Sequence, residues 1–597
     1  MTTELSAWIK RRYDILLESF KDSSFRLDDA ITVLSEKAHD RAKEVPVFLS
    51  ELRKAGLLQT ERDPDDARKK IYRLKPRDSL IQQVQSVEEL TRADIEGILK
   101  KAADLIRTRV DYKFILVLLF LKQISDKWQA EYEDEYKRLL EDGFSEKDAQ
   151  IEAMSPTYHD FDLPEEARWD AIRRDVRTLP ETFSKALKVV AERNPDLRDV
   201  VESFDYLQFV RSPESSDILR QLIELFSEKK LSNVSPDILG DAYEWILRYF
   251  APTKAKEGEI YTPREVIKLL VELLDPKPEE SVYDPACGSA GMLIYSYKHV
   301  EANPELGKAK ANTLFLYGQE VGMTTIALAK MNLYLHGIRN GNLAFGDTLR
   351  SPKFKEGETF KKFDVVIANP PWNQDGYDEE ELKRAEYWRD RFSFGFVPAQ
   401  SADWAWVQHM IASATEDTGR VGVVIDNGCL FRGGKEQAIR SAIIEKWDLL
   451  ECVILLPEKM FYNTGAPGAI LVFRWKKPVE MKNKILFINA SGEFEQHPEV
   501  RKLNRLGDSH IQRIVERYQR FGEVDGFARV VPVEEIRRND FNLNVTLYVT
   551  PSIEGESVDL YKEYRELQAL EMERRKLCEE VDVIIGKVLK AMGGGVG

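Results

Sequence analysis

Short apolar runs alternate with helical patterns through the second half of the chain. Each run is rich in β-branched side chains and ends at glycine, proline or polar residues, which is typical of a buried strand. This alternation predicts a doubly wound α/β sheet over residues 251–478. We place its seven strands near residues 281–285, 313–317, 342–345, 363–368, 420–425, 449–456 and 468–475.

The remaining segments predict four further units. Residues 1–78 show three helical patterns and then two short strands around a turn, an order similar to a winged-helix module. Residues 86–250 predict a helical domain, and residues 479–550 predict a short α/β extension. One long helix is predicted within residues 551–597, where apolar side chains recur at three- and four-residue steps and Arg574 interrupts them.

Composition limits the class of protein further. The amino-terminal segment lacks the character of a signal peptide, and the most apolar run, residues 114–121, is too short to span a bilayer. The four cysteines are scattered without a C-x-x-C pair, which indicates neither a disulfide framework nor a zinc site. We therefore expect a multi-domain cytoplasmic protein without membrane contact and without a metal.

The tetrapeptide Asn369-Pro370-Pro371-Trp372 directly follows the fourth predicted strand. The prolines remove two backbone donors and end the strand. Asn369 Oδ1 and the Pro370 carbonyl can each accept a hydrogen from an exocyclic amine, while Trp372 can stack on the ring that carries the amine. The motif therefore predicts a site for a planar nitrogenous group, although by itself a stiff turn explains it equally well.

A loop of small residues, 284–291, follows the first predicted strand. Such a loop lets backbone amides approach a ligand closely. It matches neither the dinucleotide fingerprint nor a Walker A loop, so no diphosphate is implied. Asp284 suits an amine-bearing ligand such as the methionine moiety of S-adenosylmethionine. Glu320, after the second strand, is placed for a ribose diol, and Asp347 with Thr348, after the third, for an adenine amine.

In this order, the small-residue loop and the Asn-Pro-Pro-Trp motif resemble those of amino-group DNA methyltransferases that modify adenine N6. Over roughly residues 88–550, the chain is similar to the modification (M) subunits of type I restriction-modification systems. The family usually carries glycine where this chain has Ala290. The narrower resemblance rests on four further stretches, residues 258–264, 402–409, 420–428 and 456–465.

The resemblance implies methyl transfer from S-adenosylmethionine to adenine N6 in DNA, with the base flipped out of the duplex. It assigns catalysis to Asn369, Pro370, Pro371 and Trp372. It assigns cofactor binding to Tyr261, Thr262, Asp284, Ala286, Gly288, Ser289, Gly291, Glu320, Asp347 and Thr348. Thr262 is also expected to cap a helix whose first residue is Pro263.

The net charge of −15 is unusual for a protein that grips DNA alone, because duplex affinity comes largely from lysine and arginine on phosphates. Either local basic patches on this chain or a partner protein must provide the contacts with DNA phosphates. The resemblance implies such a partner, a specificity (S) subunit that reads the target sequence, and it also implies a restriction (R) subunit. We expect the carboxyl-terminal helix to dock the S subunit, with packing against its own core as the alternative.

Several alternatives stay open from the sequence. Arg41, Lys43, Arg53 and Lys54 of the winged-helix-like module could approach DNA phosphates, or the module could contact only protein. RNA adenine methyltransferases and protein glutamine methyltransferases use a similar Asn-Pro-Pro-aromatic motif. A non-catalytic DNA-binding protein with a vestigial methyltransferase fold is the third rival. The intact acidic residues and Asn369 argue against that last reading.

Overall fold

The computed structural model describes most of the chain and divides it into two units, Met1–Leu90 and Thr91–Gly597. The described residues are 7–20, 23–38, 45–54, 58–62, 70–74, 90–106, 110–174, 178–198, 213–232, 234–254, 261–462, 464–498, 500–550 and 560–591.

The first unit folds as three helices and a small antiparallel sheet. Its helices are Ala7–Phe20 (α1), Leu27–Ala38 (α2) and Val45–Lys54 (α3). Its strands are Phe25–Arg26 (β1), Leu58–Arg62 (β2) and Lys70–Leu74 (β3), in the order β1-β3-β2. Tyr13, Leu34 and Leu52 bring all three helices into one apolar core. This is the element order of the predicted winged-helix module.

The basic side chains proposed to approach DNA from this unit can be placed only in part. Arg53 is exposed on α3. Arg41 and Lys43, and the side chain of Lys54, lie outside the described part of the chain. DNA contact and protein contact therefore both stay predictions for this unit.

The second unit begins with a helical region. Its helices are Arg92–Ile106 (α4), Lys113–Glu141 (α5), Glu146–Glu152 (α6), Trp169–Arg174 (α7), Leu179–Arg193 (α8), Pro213–Ser227 (α9) and Pro236–Lys254 (α10). The apolar run 114–121 is wholly buried inside α5, because neighbouring helices cover it. Within the described ranges, none of the helices combines the length and the apolar character that crossing a membrane requires.

A mixed nine-stranded sheet forms the centre of the second unit. Its strands are Ser281–Asp284 (β4), Phe315–Glu320 (β5), Gly341–Phe345 (β6), Val365–Ala368 (β9), Arg420–Asp426 (β10), Leu450–Leu455 (β11), Gly468–Arg474 (β12), Lys484–Asn489 (β13) and Ala528–Pro532 (β16). Two minor hairpins pair Lys355–Glu356 (β7) with Thr359–Phe360 (β8), and Glu495–Gln496 (β14) with Asn504–Arg505 (β15).

The sheet order is β16-β13-β11-β12-β10-β9-β4-β5-β6. The strands from β10 to β6 are parallel, while β12 runs antiparallel to both of its neighbours. All seven predicted strands are present, which confirms the α/β fold class. The expectation of seven strands is nevertheless too small, because β13 and β16 of the 479–550 segment extend the same sheet.

The second unit continues with further helices, several of which cover the two faces of this sheet. They are Arg264–Leu274 (α11), Gly291–Glu301 (α12), Gly307–Ala311 (α13), Met323–Leu335 (α14), Glu379–Arg384 (α15), Trp388–Arg391 (α16), Asp403–Ser413 (α17), Lys435–Ser441 (α18), Asp508–Arg520 (α19), Val533–Arg538 (α20), Val545–Tyr548 (α21) and Leu560–Ala591 (α22). Short irregular turns are the π-helical Ala442–Lys446 and the 3₁₀ segments Pro156–Tyr158, Glu165–Ala167, Pro195–Leu197, Asn427–Leu430 and Val479–Met481.

Burial on both faces explains why the central strands read as continuous apolar runs. Val365 and Ile367 of β9 join a core on one side of the sheet, whereas Val366 and Ala368 join a core on the other side. A parallel strand covered by helices on both faces has no solvent-facing side that could carry polar residues. The strand therefore ends only where Asn369 begins, at the sheet edge that holds the candidate site.

Candidate active site

Four neighbouring parallel strands, β9, β4, β5 and β6, end at one edge of the sheet. The predicted polar side chains follow these ends, with Asn369 after β9, Asp284 in β4, Glu320 in β5 and Asp347 after β6. Two cavities of about 310 and 70 Å³ open at this edge, where α/β sheets bind their ligands. Asn369 lines both of them.

The two cavities together bring most of the predicted site residues into one place. Those that line one or both are Tyr261, Thr262, Asp284, Ala286, Gly288, Ser289, Gly291, Glu320, Asp347, Thr348, Asn369 and Pro371. Pro370 and Trp372 line neither cavity. Pro370 is buried, and the ring of Trp372 packs edge-on against Phe461, with centroids 4.7 Å apart.

The small-residue loop after β4 is held by its own backbone amides. The Ala286 amide donates to Asp284 Oδ1 at 3.0 Å, and the Gly288 amide donates to Glu320 Oε2 at 3.1 Å. Ala290 is buried and has φ +67°, the left-handed conformation that glycine adopts most easily. The loop thus keeps the glycine-like bend that the family pattern requires, although the residue there is alanine.

Two acidic side chains of the cavities, the buried Asp284 and the half-buried Glu320, lie without a cation. Asp284 is 2% exposed, and burial raises its pKa to about 8, with the nearby Glu320 adding to the shift. Burial also raises the pKa of Glu320, although the amides of Gly288 and Gly322 donate to that carboxylate and oppose the shift. Within the described part of the chain, neither carboxylate has an ion-pair partner. A ligand that brings a positive charge and hydroxyl donors would stabilise both.

Such a ligand matches S-adenosylmethionine, whose ammonium group, ribose hydroxyls and adenine amine are all donors. Asp284 fits the ammonium group and Glu320 fits the hydroxyls, since each presents a carboxylate to a cavity. Asp347 fits the adenine amine at the far end of the larger cavity. The residues present therefore fit this cofactor.

Tyr377 is a site residue that the sequence reading missed. Its hydroxyl donates to Asp347 Oδ2 at 3.0 Å, and the side chain lines the larger cavity. In the same segment, Gln374 Oε1 accepts from the indole of Trp406 at 3.2 Å. Trp406 lies in the 402–409 stretch that resembles the family, which was the one available signal. The segment after the Asn-Pro-Pro-Trp motif therefore forms part of the wall of the larger cavity.

A buried charged cluster fixes the other side of this segment. Asn373, with φ +50°, donates its amide to Asp403 Oδ1 at 3.0 Å. Its side-chain oxygen accepts from Arg432, which also pairs with Asp426 and Glu436. These contacts hold the backbone turn that directly follows Trp372. No local pattern marks Arg432 for this role, because it lies 59 residues beyond Asn373.

The side-chain amide of Asn369 has a partner on each side. Its Nδ2 donates to Thr262 Oγ1 at 2.8 Å, and its Oδ1 accepts from Trp372 Nε1 at 3.0 Å. The expected helix cap by Thr262 is wrong, because α11 begins at Arg264 with Pro263 as its N-cap and without a side-chain cap. The Thr262 hydroxyl bonds to Asn369 instead.

The helical region completes the wall of the larger cavity. Tyr112, which precedes α5, and Leu247 and Ala251 of α10 all line it. Near this wall, the buried Glu244 of α10 pairs with Arg264 at the start of α11. This ion pair joins the helical region to the turn that carries Thr262.

Comparison with known proteins agrees with this geometry. The family described as N-6 DNA Methylase matches residues 234–557, and the family described as HsdM N-terminal domain matches residues 95–226. The chain belongs to the N-6 DNA methylase family. Among its relatives are two methylase subunits of type I restriction enzymes from Methanocaldococcus jannaschii, MjaVII and MjaVIII. The first is 43% identical, covering 98% of this chain and 99% of the relative. The second is 44% identical, covering 96% of each.

A solved structure shows the same fold in a methyltransferase subunit. The type I restriction-modification system methyltransferase subunit from Streptococcus thermophilus is 26% identical and superposes with a TM-score of 0.66. The match covers 77% of this chain and 100% of the Streptococcus chain. The chain is thus a type I methylase subunit by sequence and by architecture.

The raised pKa of Asp284 predicts how this N-6 DNA methylase responds to pH. The ammonium group of the cofactor pairs with the carboxylate form, so affinity for S-adenosylmethionine should rise between pH 6 and about 8, with proton release on binding. In the absence of cofactor, the free energy of unfolding changes with pH in the opposite direction. Protonated Asp284 favours the folded state, so its contribution to the free energy of unfolding falls as the pH rises from about 4 to about 8.

Calorimetric titrations in two buffers of different ionisation enthalpy measure both the affinity and the released proton. Asp284→Asn is the matched control, and it should bind weakly with a flat pH profile. A wild-type affinity that is independent of pH over this range would contradict the assignment of Asp284 to the ammonium group.

Thr262→Val tests whether the threonine hydroxyl orients Asn369. The variant keeps the side-chain shape and removes the acceptor for Asn369 Nδ2, so kcat for methyl transfer should fall about tenfold. The dissociation constant of the cofactor should change less than twofold, and Thr262→Ser should behave like the wild type. Lost cofactor affinity at an unchanged kcat would instead mean that the hydroxyl serves the cofactor.

Proposed function

We propose that this protein transfers a methyl group from S-adenosylmethionine to N6 of adenine in DNA, as the modification subunit of a type I restriction-modification complex. The observation that carries the proposal is the position of Asn369. An amide that can accept from an amine lines both cavities, beside the buried carboxylate of Asp284 and the half-buried carboxylate of Glu320, which suit a cationic cofactor.

The cofactor would lie along the carboxyl ends of β4, β5 and β6. Asp284 would hold its ammonium group, Glu320 its ribose diol and Asp347 its adenine amine. The other predicted cofactor residues would surround it, namely Tyr261, Thr262, Ala286, Gly288, Ser289, Gly291 and Thr348. Bound there, S-adenosylmethionine supplies an electrophilic methyl group on a sulfonium centre.

Asn369 and Pro370 would activate the target amine by accepting its hydrogens. The lone pair on adenine N6 is delocalised into the ring, which makes the amine a weak nucleophile. Asn369 Oδ1 and the Pro370 carbonyl would draw its two hydrogens toward a tetrahedral arrangement and free that lone pair. The leaving group of the methyl transfer is neutral, so placement and charge complementarity suffice and no strong base is needed.

The target base must leave the duplex to reach Asn369, because N6 lies inside the base stack. Trp372 is the candidate stacking partner for the flipped base, and such stacking contributes roughly 1–3 kcal/mol per base. Pro371 lines the larger cavity between these residues and would shape the entrance.

The rival substrates are adenine in RNA and a glutamine side chain of a protein. Both present a planar nitrogen, so the Asn-Pro-Pro-Trp motif accommodates either. The relatives named as methylase subunits of type I restriction enzymes favour DNA. The raised pKa values of the buried Asp284 and the half-buried Glu320 argue against a vestigial site, because desolvated acids without a cation cost stability that a ligand restores.

Asn369→Ala should abolish methyl transfer, with at least a hundredfold loss of kcat, because it removes one of the two acceptors for the amine. Cofactor affinity should stay within a few-fold of the wild type. The assay is transfer of a labelled methyl group to DNA, RNA and protein, with and without a co-expressed S subunit. Label in RNA or protein but not in DNA would refute the proposed substrate, and lost cofactor binding in the variant would refute the role of Asn369.

We also propose that α22 docks the S subunit. Every described side chain from residue 564 to residue 585 of this helix is exposed, so the helix does not pack back on its own core. Leu567, Leu577 and Ile584 lie at helical spacing along one side and are 58, 56 and 59% exposed. A long helix with an uncovered apolar stripe is stabilised when a partner helix covers that stripe.

The negative net charge of the chain agrees with a partner subunit that provides most of the contacts with DNA phosphates. The first unit holds 17 lysines and arginines against 17 acidic residues, so it is neutral, and the whole excess of −15 lies in residues 91–597. A body of this charge gains little from phosphate contacts. Target reading would then belong to the S subunit, and cleavage to an R subunit.

Leu577→Glu should weaken S-subunit binding by at least tenfold, since it places a charge in the apolar stripe of α22. Gln568→Glu is the matched control, because it adds the same charge on the opposite side of the helix and should bind normally. Co-purification and sedimentation with the S subunit measure the effect. Equal binding by the two variants would show that the stripe is not the docking surface.

A further inference from the structure

The catalytic acceptor of Asn369 is already occupied by a side chain of its own motif. Trp372 Nε1 donates to Asn369 Oδ1 at 3.0 Å. An indole N–H can only donate, so the atom facing it must be the amide oxygen, and the amide nitrogen must face Thr262. The contact therefore fixes the orientation of the amide, and it engages the atom that the target amine requires.

The indole of Trp372 lies in a slot rather than in the substrate cavity. Its ring meets Phe461 edge-on, with the two ring planes inclined by 66°. A Cβ atom added at Gly468 would lie 2.9 Å from Cη2 of the indole and 2.8 Å from Phe461 Cε2. Glycine at this position thus leaves room for both rings. The slot holds the N–H against Asn369.

Stacking and this hydrogen bond exclude each other. An indole N–H lies in the plane of its ring, so a straight hydrogen bond from it places Asn369 Oδ1 near the indole plane. The amine hydrogens of adenine lie in the base plane, and a base stacked on the indole occupies a parallel plane one ring thickness away. A single oxygen cannot accept a straight hydrogen bond in both planes. A base that stacks on Trp372 and donates to Asn369 must therefore displace the indole N–H.

We propose that Trp372 is a latch on the catalytic acceptor, closed in the free enzyme and opened by the target base. This inference rests on the proposed function and assigns Trp372 a positioning role besides stacking. In the closed state the indole keeps Asn369 Oδ1 oriented and shielded. In the open state an amine hydrogen of the base replaces the indole N–H on that oxygen. The exchange leaves Oδ1 bonded only when the base carries an amine at the matching position.

The latch therefore adds selectivity for the target. A base without an amine at C6 opens it and gives no donor in return, which leaves a desolvated acceptor unpaired. 2-Aminopurine is such a base, because its amine is at C2. Phenylalanine in place of Trp372 keeps an aromatic ring and has no N–H to displace, so it separates the latch from stacking.

The test measures binding of the complex to end-labelled DNA by anisotropy, with adenine or 2-aminopurine at the methylated position once that position has been mapped. Trp372→Phe should bind the 2-aminopurine duplex roughly three- to tenfold more tightly than the wild type does. Its KM for the adenine duplex should fall less. Trp372→Ala should bind both duplexes more weakly, because the ring is lost.

If Trp372 acts by stacking alone, Trp372→Phe should bind both duplexes more weakly than the wild type does. That result would overturn the latch. Trp447→Phe, at a half-exposed tryptophan outside the slot, controls for an indole exchanged elsewhere and should leave binding unchanged. Unfolding temperature and cofactor affinity confirm that each variant is folded.

A second measurement needs no DNA. In ¹⁵N-tryptophan-labelled protein, the indole resonance that disappears in Trp372→Phe should exchange with water far more slowly than that of Trp447. Fast exchange would overturn the closed state. This readout is separate from the proposed function: a wild-type complex that methylates no DNA adenine refutes the function, whereas a rapidly exchanging Trp372 refutes the latch.

Discussion

The parallel pairing of β4 with β9 is the constraint on which the site depends. In this pairing Val282 lies opposite Val365 and Tyr283 opposite Val366, so Asp284 falls level with Ile367. Asn369 therefore projects two residues farther along the strand direction, roughly 7 Å beyond the carboxylate. The sheet register thus sets how far the Asn369 amide lies beyond the Asp284 carboxylate along the strand direction. Helices on both faces fix this register, because a slip of one residue would turn buried side chains to the wrong core.

Local patterns in the sequence predicted much of this architecture. The apolar runs predicted the seven strands of the central sheet, and the acids at their ends predicted the side chains that line the cavities. Such features depend on a few neighbouring residues, which is why a single sequence reveals them. The order of elements in the first unit was predictable for the same reason.

What the sequence did not reveal depends on pairings between distant segments. Thr262 is 107 residues from Asn369, and nothing near either residue indicates that their side chains meet. The Thr-Pro pair suggested a helix cap because that is its usual local role. Trp372 suggested a stacking surface, since a motif states which ring is present but not which way it points. Likewise, β13 and β16 read as strands of a separate extension, because sheet membership is a tertiary property.

The cavity wall formed by Tyr112 has a consequence for the energetics of the whole second unit. Tyr112 belongs to the region that matches the HsdM N-terminal domain, whereas the acids of the site belong to the region that matches N-6 DNA Methylase. A ligand that touches both regions couples them, and coupling free energies are reciprocal. Where contact with Tyr112 raises the affinity of the cavity for a ligand, binding of that ligand stabilises the helical region by the same coupling free energy. Occupancy of the cavity therefore affects the stability of the helical region as well as the chemistry of the site.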